Sequence, residues 1–349
     1  MSNSLRLPRL RTRAVKKALS IAIRYSHLRD QGFELAHAHK DSVKVVKLLT
    51  EKLGYSYDNI TLLKDCDDGQ SRPPTRNNII QAMRDLVSNS MPGDHLICHI
   101  SGHGSQRKCP IEGQEKDGKD EIFWPVDVEF HDDEIKNYIL DDEIKEILVD
   151  GVQPGVNLVL IVDCCHSGTI ADLPHGHSDH SPRTKGLSIE EKGYSSFGCN
   201  TAMEPDSAIT EPGEEAMKRM FPNVVCWSAC KDDEITYSPS NNAGIFVQLL
   251  AKAIREDVSQ THQQLLHKVT EMMEDVISRY NSAKRQTATY DEPDPEPIRP
   301  PKPYLSTLCS QSEILHLPIF KTFGRNLDLS NRDAKELYDF HMILSPVAT

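Results

Sequence analysis

The sequence predicts one layered α/β domain built on parallel strands. Short apolar runs alternate with segments whose apolar residues recur at helical spacing, the pattern of βαβ units. Two of the runs end in loops rich in Gly, His and Cys, where open parallel sheets place their sites.

The elements follow in order. A basic tail comes first, with Arg6, Arg9, Arg11, Arg13, Lys16 and Lys17 before any acid, and no apolar run of a signal peptide. Lys17 to Tyr25 reads as a buried strand. Asp41 to Leu53 carries apolar residues at helical spacing, and Gly54 is its stop. Asn59 to Leu63 is a short strand, and Pro74-Thr75 opens a helix running to about Val87. Asp94 to Ile100, Val156 to Val162 and Asn223 to Ser228 are three further strands. Residues 170–222 lack periodicity and read as a long loop between the last two. Residues 261–280 read as a helix, 291–303 as an extended Pro- and acid-rich stretch, and Asp333 to Phe340 as a short helix.

Composition narrows the function classes. The net charge of -12 speaks against nucleic acid as a partner. No stretch approaches the length of apolar sequence that spans a membrane. Nine cysteines without framework spacing suit a reducing compartment, cytoplasm or nucleus, rather than a disulfide scaffold.

The chemistry concentrates in two loops, Ser101-Gly-His-Gly104 and Asp163-Cys-Cys-His-Ser-Gly168. A catalytic thiol needs exposure, a base within reach and donors for a developing oxyanion. Neighbouring parallel strands would bring Cys165 and His103 together, with the amides of Gly104 and Cys165 as oxyanion donors. Taken singly, a Cys is usually a small buried hydrophobe and a His a surface or core residue. The pairing of the two loops is what argues for a dyad.

These loops, SGHGSQ (101–106) and DCCHSG (163–168), resemble the His and Cys motifs of metacaspases. So, in order, do KKALSIAIRY (16–25), PTRNNIIQAM (74–83), DGKDEIFWPVD (117–127), LDDEI (140–144), WSACKDDEITY (227–237) and KPYLST (302–307). The resemblance implies a caspase-like three-layer sandwich with a mostly parallel central sheet flanked by helices. It divides the chain into a tail (1–15), a peptidase domain (16–320) and a C-terminal extension (321–349). Within the domain it implies a large-subunit region to about 170, a linker loop (170–222) and a small-subunit region (223–320).

The resemblance implies a monomeric cysteine endopeptidase cutting protein or peptide substrates after Arg or Lys. The second cysteine, Cys165, is the implied nucleophile and His103 the base. Asp163, Ser101 and Asp41 are the implied pocket for the cationic side chain, a role suited to carboxylates; Asp41 would equally serve a helix start. Asp120, Asp141, Asp142 and Asp172 are the implied ligands of an activating Ca²⁺, though clustered acids also occur as solvated loops and caps. Self-cleavage would fall at Arg183, Lys185, Lys192, Lys218 or Arg219. The chain departs from the family pattern at Arg24 and over His37-Ala38-His39-Lys40, where Gly-Cys-x-Asn is usual. Those departures keep open an inactive caspase-fold scaffold that binds protein partners.

Overall fold

The computed structural model describes residues 14–66, 68–69, 71–110, 118–131, 134–165, 167–178, 222–231, 244–287, 297–308 and 314–324. Its strands are β1 (Lys16–Ala22), β2 (Ile60–Lys64), β3 (His95–Ser101), β4 (Gly104–Lys108), β5 (Lys119–Phe123), β6 (Glu129–His131), β7 (Glu134–Lys136), β8 (Ile139–Leu140), β9 (Asn157–Asp163), β10 (His175–Ser178), β11 (Asn223–Ser228) and β12 (Tyr304–Thr307). Its helices are α1 (Ala38–Glu51), α2 (Arg76–Val87), α3 (Asp141–Lys145), α4 (Ile245–Glu256), α5 (His262–Thr287) and α6 (Ile319–Phe323).

Seven strands form the central sheet in the order β10-β12-β11-β9-β3-β1-β2. From β2 to β11 every neighbouring pair is parallel, whereas β12 runs antiparallel to β11 and β10 antiparallel to β12. The period-2 alternation of strand side chains then sorts the core into two layers. On one face lie Leu96, Cys98 and Ile100 of β3, Leu158, Leu160 and Val162 of β9, and the α2 residues Ile79 and Met83. On the other lie Ile97, Val159, Ile161 and Trp227, covered by Val45 and Leu48 of α1, Phe246 and Leu250 of α4, and Leu265 and Val269 of α5. This is the expected three-layer sandwich.

The sheet agrees with the predicted strands to within a few residues. α1 and α2 form as expected, with Thr75 accepting a bond from the Asn78 amide at the α2 start. Three features differ from the sequence reading. First, residues 170–222 are not all loop, because β10 lies within them as an edge strand. Second, α4 was not foreseen; eight of its residues are buried on an almost continuous apolar run, whose helical period is hard to see without its partners. Third, β4, β5 and β8 make a small separate sheet and β6 with β7 a hairpin. The expected helix at 333–340, His166, and the linker's basic residues lie outside the described residues.

Candidate active site

The parallel register decides where the two loops meet. Ser101 at the end of β3 pairs with Asp163 at the end of β9. Two residues further along each chain stand His103 and Cys165. The Gly102 amide donates to the Asp163 carbonyl at 3.3 Å, so pairing continues past the strand ends. A Cβ on Gly104 would lie 2.3 Å from the Cys165 carbonyl oxygen, which is why only glycine fits there. The loops therefore touch through their backbones.

The two adjacent cysteines differ in setting. Cys164 is fully buried, and burial pushes its thiol well above the ordinary range. Cys165 is half-buried, so it is the thiol a ligand can reach.

His103 sits in an aromatic box, its ring 4.9 Å from Tyr25, 5.9 Å from Phe33 and 5.2 Å from Trp124, centroid to centroid. Its Nε2 lies 2.8 Å from the Phe33 carbonyl. A carbonyl only accepts, so Nε2 carries the proton and Nδ1 keeps its lone pair. Burial lowers the imidazole pKa, only partly offset by the Phe33 carbonyl. The ring is thus neutral at pH 7, as a base must be. Beside it, burial and the nearness of His103 push His37 down to about 4.

Asp163, Asp41 and Ser101 do come together. Ser101 Oγ donates to Asp41 Oδ2 at 2.9 Å, and the Gly244 amide donates to Asp41 Oδ1 at 2.6 Å. A Cβ on Gly244 would stand 2.3 Å from Asp163 Oδ2 and 3.2 Å from Asp41 Oδ2. Asp163 is 6% exposed, Asp41 0% and Ser101 1%. Asp163 Oδ2 is buried with no hydrogen-bond partner. Burial raises the pKa of both carboxyls, and for Asp41 the neighbouring Asp163 adds to it. Two buried carboxyls facing each other with one oxygen unpaired are short of a cation. Asp41 is not the helix cap that its position suggested: its side chain is committed to Ser101 and Gly244. Lys40, the unusual cation next to it, is exposed and lines an outer groove with Val43 and Lys44.

Residues 16–174 match the metacaspase peptidase C14 domain. The chain is 31% identical to metacaspase-1 of Botryotinia fuckeliana over 275 residues, which is 73% of this chain and 64% of that protein. It is 39% identical to metacaspase-1 of Saccharomyces cerevisiae S288c over 183 residues, 52% of this chain and 39% of that protein. Residues 16–174 are thus similar to metacaspase peptidase domains. The chain spans less than two thirds of either metacaspase relative. Among solved structures, caspase-1 of Spodoptera frugiperda overlays 84% of this chain and 86% of its own at TM-score 0.44 and 10% identity, too loosely to bear on the site.

The oxygen-only chemistry of Asp120, Asp141, Asp142 and Asp172 suits calcium, but their arrangement does not. Asp120 accepts from Arg107 Nε at 2.8 Å, and Asp172 is paired with Lys145. Among the described residues no group of three or more acidic, His or Cys side chains is disposed to hold a metal. As placed, these residues do not fit the ion.

Four residues of the candidate site were not anticipated from sequence. Tyr25, Phe33 and Trp124 surround His103, and Gly244 closes the pocket over Asp163. Tyr25 and Trp124 stand inside recognisable motif segments, yet an aromatic there reads as ordinary core. Gly244 gave no signal, because its partners lie 203 and 81 residues away in sequence.

Proposed function

We propose that this chain is a cysteine endopeptidase cutting after Arg or Lys, with Cys165 as nucleophile and His103 as base. One observation carries the reading: the Ser101–Asp163 register puts thiol loop, imidazole loop and the Asp163 carboxyl at the same end of two neighbouring strands, where Ser101 also holds Asp41. The carboxylates hold the cationic side chain just before the cut, and Arg suits them best because it bonds bidentately.

The proposed steps are these. His103 Nδ1 takes the Cys165 proton, since Nε2 is committed to Phe33. The thiolate adds to the carbonyl carbon, and charge builds on the carbonyl oxygen. The amides of Gly104 and Cys165 are the donors proposed for it. His103 returns the proton to the leaving nitrogen as the C–N bond breaks. Water then hydrolyses the thioester, with His103 again as base.

Peptides and proteins with an accessible basic residue are the proposed substrates. Self-cleavage in the linker is the intramolecular form of the same reaction. Among the described residues no helix is long and apolar enough to cross a membrane. Calcium activation would require Asp120 and Asp172 to leave their partners Arg107 and Lys145. The test of the whole reading is cleavage of fluorogenic peptides ending in Arg, Lys or Asp, by wild type and Cys165→Ala. Release after Arg or Lys that vanishes in the variant supports it. Release after Asp would refute the pocket, and no release from any peptide by folded protein would favour the scaffold.

A further inference from the structure

One residue that holds His103 belongs neither to the dyad nor to the pocket. Tyr25 is fully buried, 0% exposed. Its hydroxyl accepts from the His103 amide at 3.0 Å and donates to the Trp124 carbonyl at 2.5 Å. Trp124 in turn gives its own amide to the His103 carbonyl at 3.0 Å. One phenol therefore ties together the backbone on both sides of the imidazole. Its ring lies 4.9 Å from the imidazole ring, tilted 40° to it, and packs against one side of the base.

Tyr25 reaches this place from a costly backbone. It has φ 55° and ψ 41°, the left-handed region that bulky residues avoid. Such conformations persist only when the surroundings impose them, and they gather at functional sites. Asp65, just beyond β2, does the imposing. Its two oxygens accept from the Arg24 amide at 2.7 Å and the Tyr25 amide at 2.8 Å. His39 in the first turn of α1 contacts Asp65 Oδ1 through Nε2 at 2.7 Å. Gly102 completes the fit, since a Cβ there would stand 2.9 Å from the Tyr25 hydroxyl.

We propose that Tyr25, locked in its left-handed turn by Asp65, is the positioning residue of the base: its hydroxyl sets where His103 stands relative to Cys165. The chain of contacts runs from β2 through the end of β1 to the loop after β3. It is separate from the Phe33 carbonyl, which sets the imidazole's tautomer. Without the hydroxyl, the His103 amide and the Trp124 carbonyl lose a shared partner in a buried site, and the loop must shift to find others. A displacement of about 1 Å at a catalytic group is enough to cost about 100-fold in rate.

The inference rests on the Cys165–His103 reading, and the experiment separates the two. Wild type, Tyr25→Phe, Asp65→Asn and His103→Ala are alkylated with iodoacetamide from acid to alkaline pH, and modification of Cys165 is followed by mass spectrometry. No substrate is needed. Wild type is expected to be alkylated faster at neutral pH than an ordinary thiol, because His103 takes the proton as the sulfur reacts, and His103→Ala to lose that rate. Tyr25→Phe keeps the ring and its packing. It is expected to move the profile toward that of His103→Ala while melting within about 3 °C of wild type. On an Arg peptide, kcat falls about 10-fold or more with KM within about 2-fold. Asp65→Asn is expected to do the same without touching His103, and it carries the comparison if Tyr25→Phe fails to fold. A Tyr25→Phe profile superimposed on wild type, with kcat within about 2-fold, overturns the proposal. A wild-type profile already equal to that of His103→Ala overturns the dyad, and Tyr25's role with it.

Discussion

Asp163 and Asp41 hold opposing demands. Each is buried, each has its pKa raised, and Asp163 Oδ2 finds no partner. A carboxyl whose folded pKa lies above its unfolded value lends stability below the ordinary carboxylate range, and that stability is lost as pH rises through the folded value. The melting temperature is therefore expected to fall between about pH 5 and pH 8 from this pair. An Arg-ended peptide aldehyde should restore more at the upper pH, where the pair is charged, which a thermal-shift series at two pH values reads directly. Asp163→Asn removes one of the two facing charges. It should raise the melting temperature yet lower kcat/KM on Arg peptides about 10- to 100-fold, the worth of one charge-assisted bond. A variant both destabilised and inactive would contradict this account. Gly244→Ala probes the opposite wall: its methyl falls 2.3 Å from Asp163 Oδ2. KM for Arg peptides should rise at least about 10-fold, while Cys165 alkylation stays as in wild type.

At the level of elements, legibility followed locality. β1, β3, β9 and β11 were readable because their apolar runs are short, β-branched and bounded by turn residues. α1 and α2 were readable because polar faces reveal their period. α4 was not, since Ile245, Phe246, Val247, Leu249 and Leu250 leave almost no polar face. β10 was missed because HGHS carries no strand propensity; its pairing with β12 makes it a strand. His103 and Cys165 were legible as motif residues at strand ends. The pocket wall and the aromatic box were not, because they arise from contacts distant in sequence. α4 links core to site, burying Phe246 at 2% exposure two residues after Gly244. Phe246→Ala should destabilise by about 3–5 kcal/mol in denaturant melts. In whatever remains folded, KM should rise more than kcat falls, because the amide that holds Asp41 moves with the helix.

Across the whole molecule, the sheet order has a consequence for any cut in the linker. The order β10-β12-β11-β9 places β11 and β12 between two strands that precede the linker's basic residues in sequence. Cleavage at Arg183 or beyond would thus leave two interleaved polypeptides, the shorter one hydrogen-bonded along both flanks by the longer. Nicking cannot free either piece without tearing two ladders of backbone bonds. A nicked sample should run as two bands on a denaturing gel but elute as one species of unchanged size from a gel-filtration column. What a cut in the linker can alter is the slack in the chain, not the membership of the complex.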